Sequence, residues 1–332
     1  MTKGYKKTMC MVVAATGLAL VGCQHGEESS GQKEEAAPAL AESEAEPFLE
    51  FADDSDEEVV LEEKPERIVV LAPEMLKMVY DLDGEAVGRM TPSSIPVSEA
   101  AENVPELGTV SQINTEALSA LDPDLVIGSP NFHGDLRGLM ESSDIPFALL
   151  QMRSFEDVKE KANLLGKILG KEDKASQMIA KAEAEMAAIQ KRLPKGEAPS
   201  VVVLNVTPKS VSVQRANTTA IEIGELLGVK NVGENMKANP DSQTSAPYSL
   251  ETLAEAQPDY VLLTIHGPEA AGQKKIEEEL KGNPAWASLN AVKEGNVHLI
   301  PSEKYLSNPG FDYADTMEHM AQIVYPEVFG NE

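Results

Sequence analysis

The sequence predicts an α/β protein of two Rossmann-like lobes, each with a mostly parallel sheet, joined by a long spine helix. Three observations carry this. Residues 114–128 and 249–263 say nearly the same thing twice: Glu116 and Glu251 each stand seven residues before a Pro-Asp pair, Pro123-Asp124 and Pro258-Asp259, and an apolar run follows each pair. The physics is a short helix, a proline stop and a buried strand. Valine-rich runs alternate with helical patterns on either side of a middle segment, as in sheets covered on both faces. That middle segment, about 154–194, reads as a long helical stretch.

In chain order, Arg67–Ala72 reads as a strand ending at Pro73, Glu74–Leu82 as a helix and Ala86–Gly88 as a short strand. Thr91–Pro105 is Pro- and Ser-rich and reads as a loop. The first repeat leads into a loop, Ser129–Gly134, then a helix over Leu136–Ser143 and a strand over Phe147–Gln151. Ser154 and Asp157 are spaced as a capping box. Val158, Ala162, Leu165, Ile168 and Leu169 line one helix face, Gly170 marks a break, and a second helix runs from Glu172 to Leu193 before Pro194. Taken as one rod at 1.5 Å per residue, the segment would reach roughly 50–60 Å. The second lobe offers strands at Ser200–Val206, Val211–Val213, Tyr260–Ile265 and Val297–Pro301. Its helices are Ala220–Leu227, Lys274–Lys281 and Tyr313–Tyr325.

The start of the chain is a different material. Lys3, Lys6 and Lys7 precede an apolar stretch, Met9–Val21, too short to span a bilayer comfortably, and Leu20-Val21-Gly22-Cys23 follows. That ending resembles a bacterial lipobox, which implies cleavage before Cys23 and a lipid on its sulfur. Two acyl chains suffice for stable anchoring. Cys10 lies in the removed segment, so no disulfide remains and a packed core must hold the fold. Residues 24–58 carry thirteen acids and one lysine, which reads as a self-repelling tether; His25 within it is a weak candidate for collecting metal. The expected organisation is a signal peptide over 1–22, an acidic flexible tether over 23–63, an N-terminal lobe over 64–153, linking helices over 154–194 and a C-terminal lobe over 195–332. Loss of three lysines with the leader makes a chain of formal charge −27 more acidic still, which argues against nucleic acid as a partner.

Several landmarks then fall in a specific order: Pro65-Glu66-Arg67-Ile68-Val69-Val70, Val104-Pro105-Glu106-Leu107-Gly108, Asn283-Pro284-Ala285-Trp286 and Asn290-Ala291-Val292-Lys293-Glu294-Gly295-Asn296-Val297. With the lipobox, they resemble the substrate-binding lipoproteins of ABC importers in the iron-siderophore, cobalamin and haem class. The resemblance covers residues 64–330. It implies two α/β lobes joined by a long helix, no enzymatic activity, and a monomer held outside the cell membrane by its lipid. The implied partners are an ABC permease with its ATPase and the bilayer at Cys23, with an upstream haem donor protein as a further candidate. Glu116 and Glu251 match the acids, one per lobe, that meet permease arginines in that class.

Ile265-His266-Gly267-Pro268-Glu269 is closest to the haem subgroup. There the motif histidine ligates iron and a methionine near the first helix of the first lobe supplies the other ligand. The resemblance thus implies haem as transported cargo, with His266 and Met75 as iron ligands and no catalytic cofactor. His266 follows a strand, where open α/β sheets present ligand loops, and imidazole and thioether both suit haem iron. Met78, one turn from Met75, is an alternative. His133 is another, since it follows the first repeat's strand as His266 follows the second. Propionates need cations or hydrogen-bond donors: Arg89, Lys304 and Tyr305 are the candidates for cleft contacts, with Arg153 and Arg215 as further options. His298 and His319 read as structural.

Other functions stay open on the same scaffold. A ferric siderophore or a corrinoid is the main alternative cargo, though few arginines and aromatics are available. A free metal ion would need clustered histidines and carboxylates, which His133, His266 and an acid could supply. The sequence holds no HExxH, GxSxG or phosphate-binding glycine loop to suggest catalysis.

Overall fold

The computed structural model of the protein describes residues 46–91, 97 and 99–330. The expected leader, Cys23, His25 and the first half of the tether lie outside the described residues.

Folding begins earlier than the composition suggested. β1 (Leu49–Ala52) pairs antiparallel with β2 (Glu58–Leu61), so the segment expected to end a flexible tether is a hairpin. Its acids mask a period-two pattern: Val59 and Leu61 are buried, while Glu58 and Val60 face out. The turn acids are consumed by the first lobe. Asp53 accepts hydrogen bonds from Leu149 N (3.0 Å) and the Arg137 guanidinium (2.6 Å). Asp54 accepts from Gln151 N and from the buried Lys161, both at 2.7 Å. Burial pushes the Asp53 carboxyl up, but the Ser55 hydroxyl, the Leu149 and Ser55 amides and Arg137 outweigh it and bring it down to about 2.

The first lobe holds a four-stranded parallel sheet. Its strands are β3 (Ile68–Val70), β4 (Gly88–Arg89), β7 (Leu125–Gly128) and β8 (Phe147–Leu149), in the order β4-β3-β7-β8. A small hairpin of β5 (Gly108–Thr109) and β6 (Gln112–Ile113) stands apart from it. Helices α1 (Pro73–Asp81), α2 (Thr115–Ala120) and α3 (Arg137–Ser142) connect the strands.

The linking segment is two helices, α4 (Phe155–Leu169) and α5 (Glu172–Arg192), with the capping box formed at Ser154 and Asp157. They do not continue into one rod of 50–60 Å. Gly170 adopts a left-handed conformation (φ 67°) that ends α4. The chain folds back, bringing Lys159 Nζ to 3.4 Å from Glu183; Gly166 lets Ala175 approach closely. The long spine is therefore α5 alone, 21 residues or roughly 30 Å.

The second lobe centres on the parallel strands β9 (Ser200–Val206), β13 (Tyr260–Ile265) and β14 (Val297–Leu299). β10 (Val211–Gln214), β11 (Lys230–Asn231) and β12 (Ser245–Pro247) extend it: β11 runs parallel to β9, while β10 is antiparallel to both β9 and β12. Around the sheet lie α6 (Thr219–Leu226), α7 (Leu250–Ala256), α8 (Glu269–Lys275), α9 (Asn290–Lys293), α10 (Ser302–Tyr305), α11 (Tyr313–Val324) and α12 (Pro326–Phe329).

The sequence repeat has a structural meaning. α2 leads to β7 and α7 leads to β13, each strand lying parallel beside the first strand of its sheet. Asp122 and Gln257, just before the prolines, are both left-handed (φ 47° and 44°). Asp124 takes the amides of Glu66 and Arg67 (2.7 and 2.9 Å) where β3 begins. Asp259 takes Ser200 N and its hydroxyl (both 2.7 Å) where β9 begins. Each aspartate pins two neighbouring strands in register.

One apolar core runs from β2, β3 and α1 through α4 and α5 into α6 and α11, so the lobes share it. At their junction Phe155 packs on Tyr313 (ring centroids 5.2 Å apart). Beneath them Glu222 of α6 accepts from Phe155 N at 2.9 Å and from the Tyr313 hydroxyl. Asn308 donates to Ser154 O and Tyr313 Oη.

Asp124→Ala and Asp259→Ala should each cost about 1 kcal/mol in urea unfolding, and the double variant should be additive because the sites lie in separate sheets. Asp53 sets an acid limit. Its folded carboxyl binds a proton less tightly than the unfolded one, so its contribution is complete above about pH 4 and disappears as pH falls toward 2, a change of roughly 2 kcal/mol. Asp53→Asn should lack that part of the acid profile in chemical denaturation series.

Candidate functional site

Parallel strands deliver their following loops to one end of a sheet. In the first lobe these loops carry Glu74 after β3, Met90 after β4, Phe132 after β7 and Gln151 to Arg153 after β8. In the second they carry His266 after β13 and Leu306 to Asn308 after β14. Asn217 to Thr219, which open α6, join them. Together they enclose a cavity of about 360 Å³ between the lobes. A wider space of about 860 Å³ continues past His266 along Leu299 and Glu303, and a third of about 340 Å³ lies on the other side of Glu74 and Met90.

His266 is the first residue beyond β13. The strand is buried over Val261–Ile265, and His266 N donates to Val206 O (2.8 Å), so its backbone is held firmly. Gly267 (φ 108°) then turns the chain away. The exposed imidazole makes no hydrogen bond with the described residues and lines both the 360 Å³ and the 860 Å³ spaces. An exposed apolar side chain shares each space with it: Phe132, 57% exposed, lines the smaller and Leu299, 47% exposed, the wider. A lone imidazole sharing its space with exposed apolar groups suits a flat apolar ligand with a Lewis-acidic metal.

The other expected ligands are placed elsewhere. Met75 and Met78 are 0% and 1% exposed. Their three-residue spacing puts both on the α1 face that packs into the shared core, so neither reaches the cleft. Their neighbour Glu74 does, and burial pushes its carboxyl up. His133 is 1% exposed, and its Nδ1 accepts from Ser129 N at 2.9 Å. Its Nε2 is buried near the Val110 carbonyl without a hydrogen bond of ordinary length, and burial holds the imidazole below its usual pKa. This is a packed neutral histidine, closed off from cargo.

Arg89 is buried and fully occupied. It donates to the carbonyls of Ala101, Met90 and Glu102 and pairs with Glu106 at 3.1 Å, clamping the loop before β5. Tyr305 is buried too, its hydroxyl bound to Thr316 O and His319 Nδ1; burial pushes that hydroxyl's pKa up. Neither can serve as a cleft contact. Lys304 does line the third cavity, beside Lys77. Arg215 is occupied by the carbonyls of Met236, Gln243 and Glu234. Glu116 and Glu251 are exposed in the first turns of α2 and α7. Among the described residues no group of three or more His, Cys, Asp or Glu could hold a metal ion.

Phe132, Gln151 and the Asn217–Thr219 turn were missed as cleft residues. The signal for them was positional: each sits in a loop next to a strand end, and no motif marks them.

Comparison with known proteins agrees with this architecture. The chain is 25% identical over 265 residues to the Fe(3+)-citrate-binding protein YfmC of Bacillus subtilis, covering 76% of this chain and 78% of that one. It is 23% identical over 320 residues to the uncharacterized ABC transporter substrate-binding lipoprotein YvrC of the same organism, covering 93% and 94%. Staphylococcus aureus IsdE, solved complexed with heme, superposes with a TM-score of 0.67 at 21% identity, covering 78% of this chain and 98% of that one. A family model described as "Periplasmic binding protein" matches residues 68–304. The chain thus belongs to the periplasmic binding protein family, whose members bind ligands and are not enzymes.

Proposed function

We propose that the protein is the cargo receptor of an ABC importer for iron chelates, tethered outside the cell membrane through lipidated Cys23, and that its cargo is haem. The carrying observation is His266, a free imidazole at the cleft that shares its two spaces with the exposed Phe132 and Leu299. A relative's name adds support: IsdE of Staphylococcus aureus is called a high-affinity heme uptake system protein. Among the described residues no helix is long and apolar enough to cross a membrane, and the lipid supplies the anchor in this reading.

Delivery to the permease falls to Glu116 and Glu251. Each stands in the first turn of a helix that returns to the start of a strand, so both acids sit toward the cleft end of their lobes. Neither has an intramolecular partner among the described residues, and an exposed unpaired acid is ready for a partner's arginine.

A second reading has one observation in its favour. Asn131, Gln151, Asn217 and Ser307 form an uncharged polar band around the same cavity, which suits a hydrogen-bonding ferric chelate. YfmC, named for ferric citrate, is consistent with that.

Titration of the purified protein with haemin should give a saturable one-to-one Soret shift, and His266→Ala should weaken it at least tenfold or change its shape. An absent shift in the parent would move the assignment to a ferric chelate. Glu116→Lys with Glu251→Lys should abolish haem-dependent growth in cells relying on this importer while leaving the Soret titration unchanged. Retained growth would remove the docking role.

A further inference from the structure

The chain has six arginines, and five are occupied within the fold. Arg67 holds Leu121 O and Asp122 O, Arg89 clamps its loop, Arg137 binds Asp53, Arg192 pairs with Glu318 and Arg215 caps three carbonyls. Arg153 is the exception. Its backbone amide is held by Asp157 (2.7 Å), its side chain is exposed, and its guanidinium makes no hydrogen bond or ion pair with the described residues. It is also the one Lys or Arg among the described residues lining the 360 Å³ cavity.

Two other donors face the same space. Gln151, two residues earlier, has its backbone fixed by Asp54 (2.7 Å), and its Oε1 is buried without a partner among the described residues. That leaves the NH2 as the end of the amide that a cleft ligand meets. From the second lobe comes the start of α6. Thr218 caps it through Ile221 N, and the preceding amides, of Thr219 and Ala220, make no hydrogen bond with the described residues, as first-turn donors of a helix. Thr218 and Thr219 line the cavity. The two walls adjoin, because Phe155, two residues past Arg153, donates to Glu222 in that first turn.

We propose that Arg153, Gln151 and the first turn of α6 form a carboxylate site spanning both lobes, which restricts the cargo to iron chelates carrying a free carboxylate. The inference rests on the cleft being the cargo site and covers haem propionates and ferric citrate alike. A guanidinium, an amide NH2 and helix amides are all donors, so an anion with several acceptor lone pairs satisfies them together. In a chain of formal charge −27, an unpaired guanidinium also offsets repulsion of an anionic cargo. Bridging both walls makes the carboxylate a contact complete only when the two lobes are apposed.

The test is a cycle between protein and ligand, using haemin, its dimethyl ester and ferric citrate, with parent, Arg153→Met, Arg153→Lys and Gln151→Ala. The parent should bind haemin at least tenfold tighter than the ester. Arg153→Met should lose at least tenfold for haemin and ferric citrate but little for the ester, closing the gap; Arg153→Lys should restore part of it, and Gln151→Ala should close part of it. Matching thermal melts establish that each variant folds. An Arg153→Met that weakens both porphyrins equally, or neither, overturns the proposal. A parent that takes ferric citrate but not haemin, with loss in Arg153→Met, removes the haem assignment and keeps the carboxylate site; the same parent without that loss overturns the site. A parent that binds neither ligand overturns both.

Discussion

The junction at Phe155, Tyr313 and Glu222 is the constraint on which the cleft depends. Donors on the two walls can address one ligand only if the lobes hold a fixed separation, and here a shared core and a buried polar knot set it. The Glu222 carboxylate accepts from the start of α4 and from a tyrosine at the start of α11, so one acid of α6 ties three helices. Burial pushes its carboxyl up, the cost of placing an acid there; its two hydrogen bonds recover part of it. Asn308 extends the knot to the cavity surface, binding Ser154 O and Tyr313 Oη while lining the cleft.

Charge is the second constraint. Most of the acidity is spent locally or left in solvent. Asp53 and Asp54 fasten the hairpin, Asp124 and Asp259 fix strand register, and Asp81 and Asp312 hold Lys77. Five of the six arginines are spent in the same way, which gives a free one in the cleft unusual weight. Fold and binding draw on one small pool of guanidinium groups, and the second cannot be read until the first has been subtracted.

That subtraction explains what the sequence could and could not show. The repeat around Glu116 and Glu251 gave away both sheets because a helix, a proline and a strand-fixing aspartate leave a strong local pattern. The position of His266 at the cleft was legible from its place after a strand. Met75 and Met78 were misplaced because helical spacing says that two residues share a face but not whether it meets core or cleft. Arg89 and Tyr305 were misplaced for a related reason: two of the three carbonyls that absorb Arg89 and the His319 that absorbs Tyr305 lie 12 to 14 residues away, beyond local pattern. The hairpin at 49–61 was hidden by composition, since its acids look solvated until Arg137, Lys161 and two β8-end amides are brought to them by the fold.

The hairpin bears on the cleft as well. Its turn pairs with the end of β8, with Asp54 N donating to Leu149 O and Asp54 accepting from Gln151 N. Gln151, Met152 and Arg153 line the cavity immediately beyond. The segment that leads away toward the amino terminus is thus bonded to the strand end that presents the wall of the binding space. β8 is an edge strand, and edge strands fray unless something occupies their free groups. Here the acidic turn does so. An extension that looks like a spacer by composition therefore holds in place the wall from which Gln151 and Arg153 project.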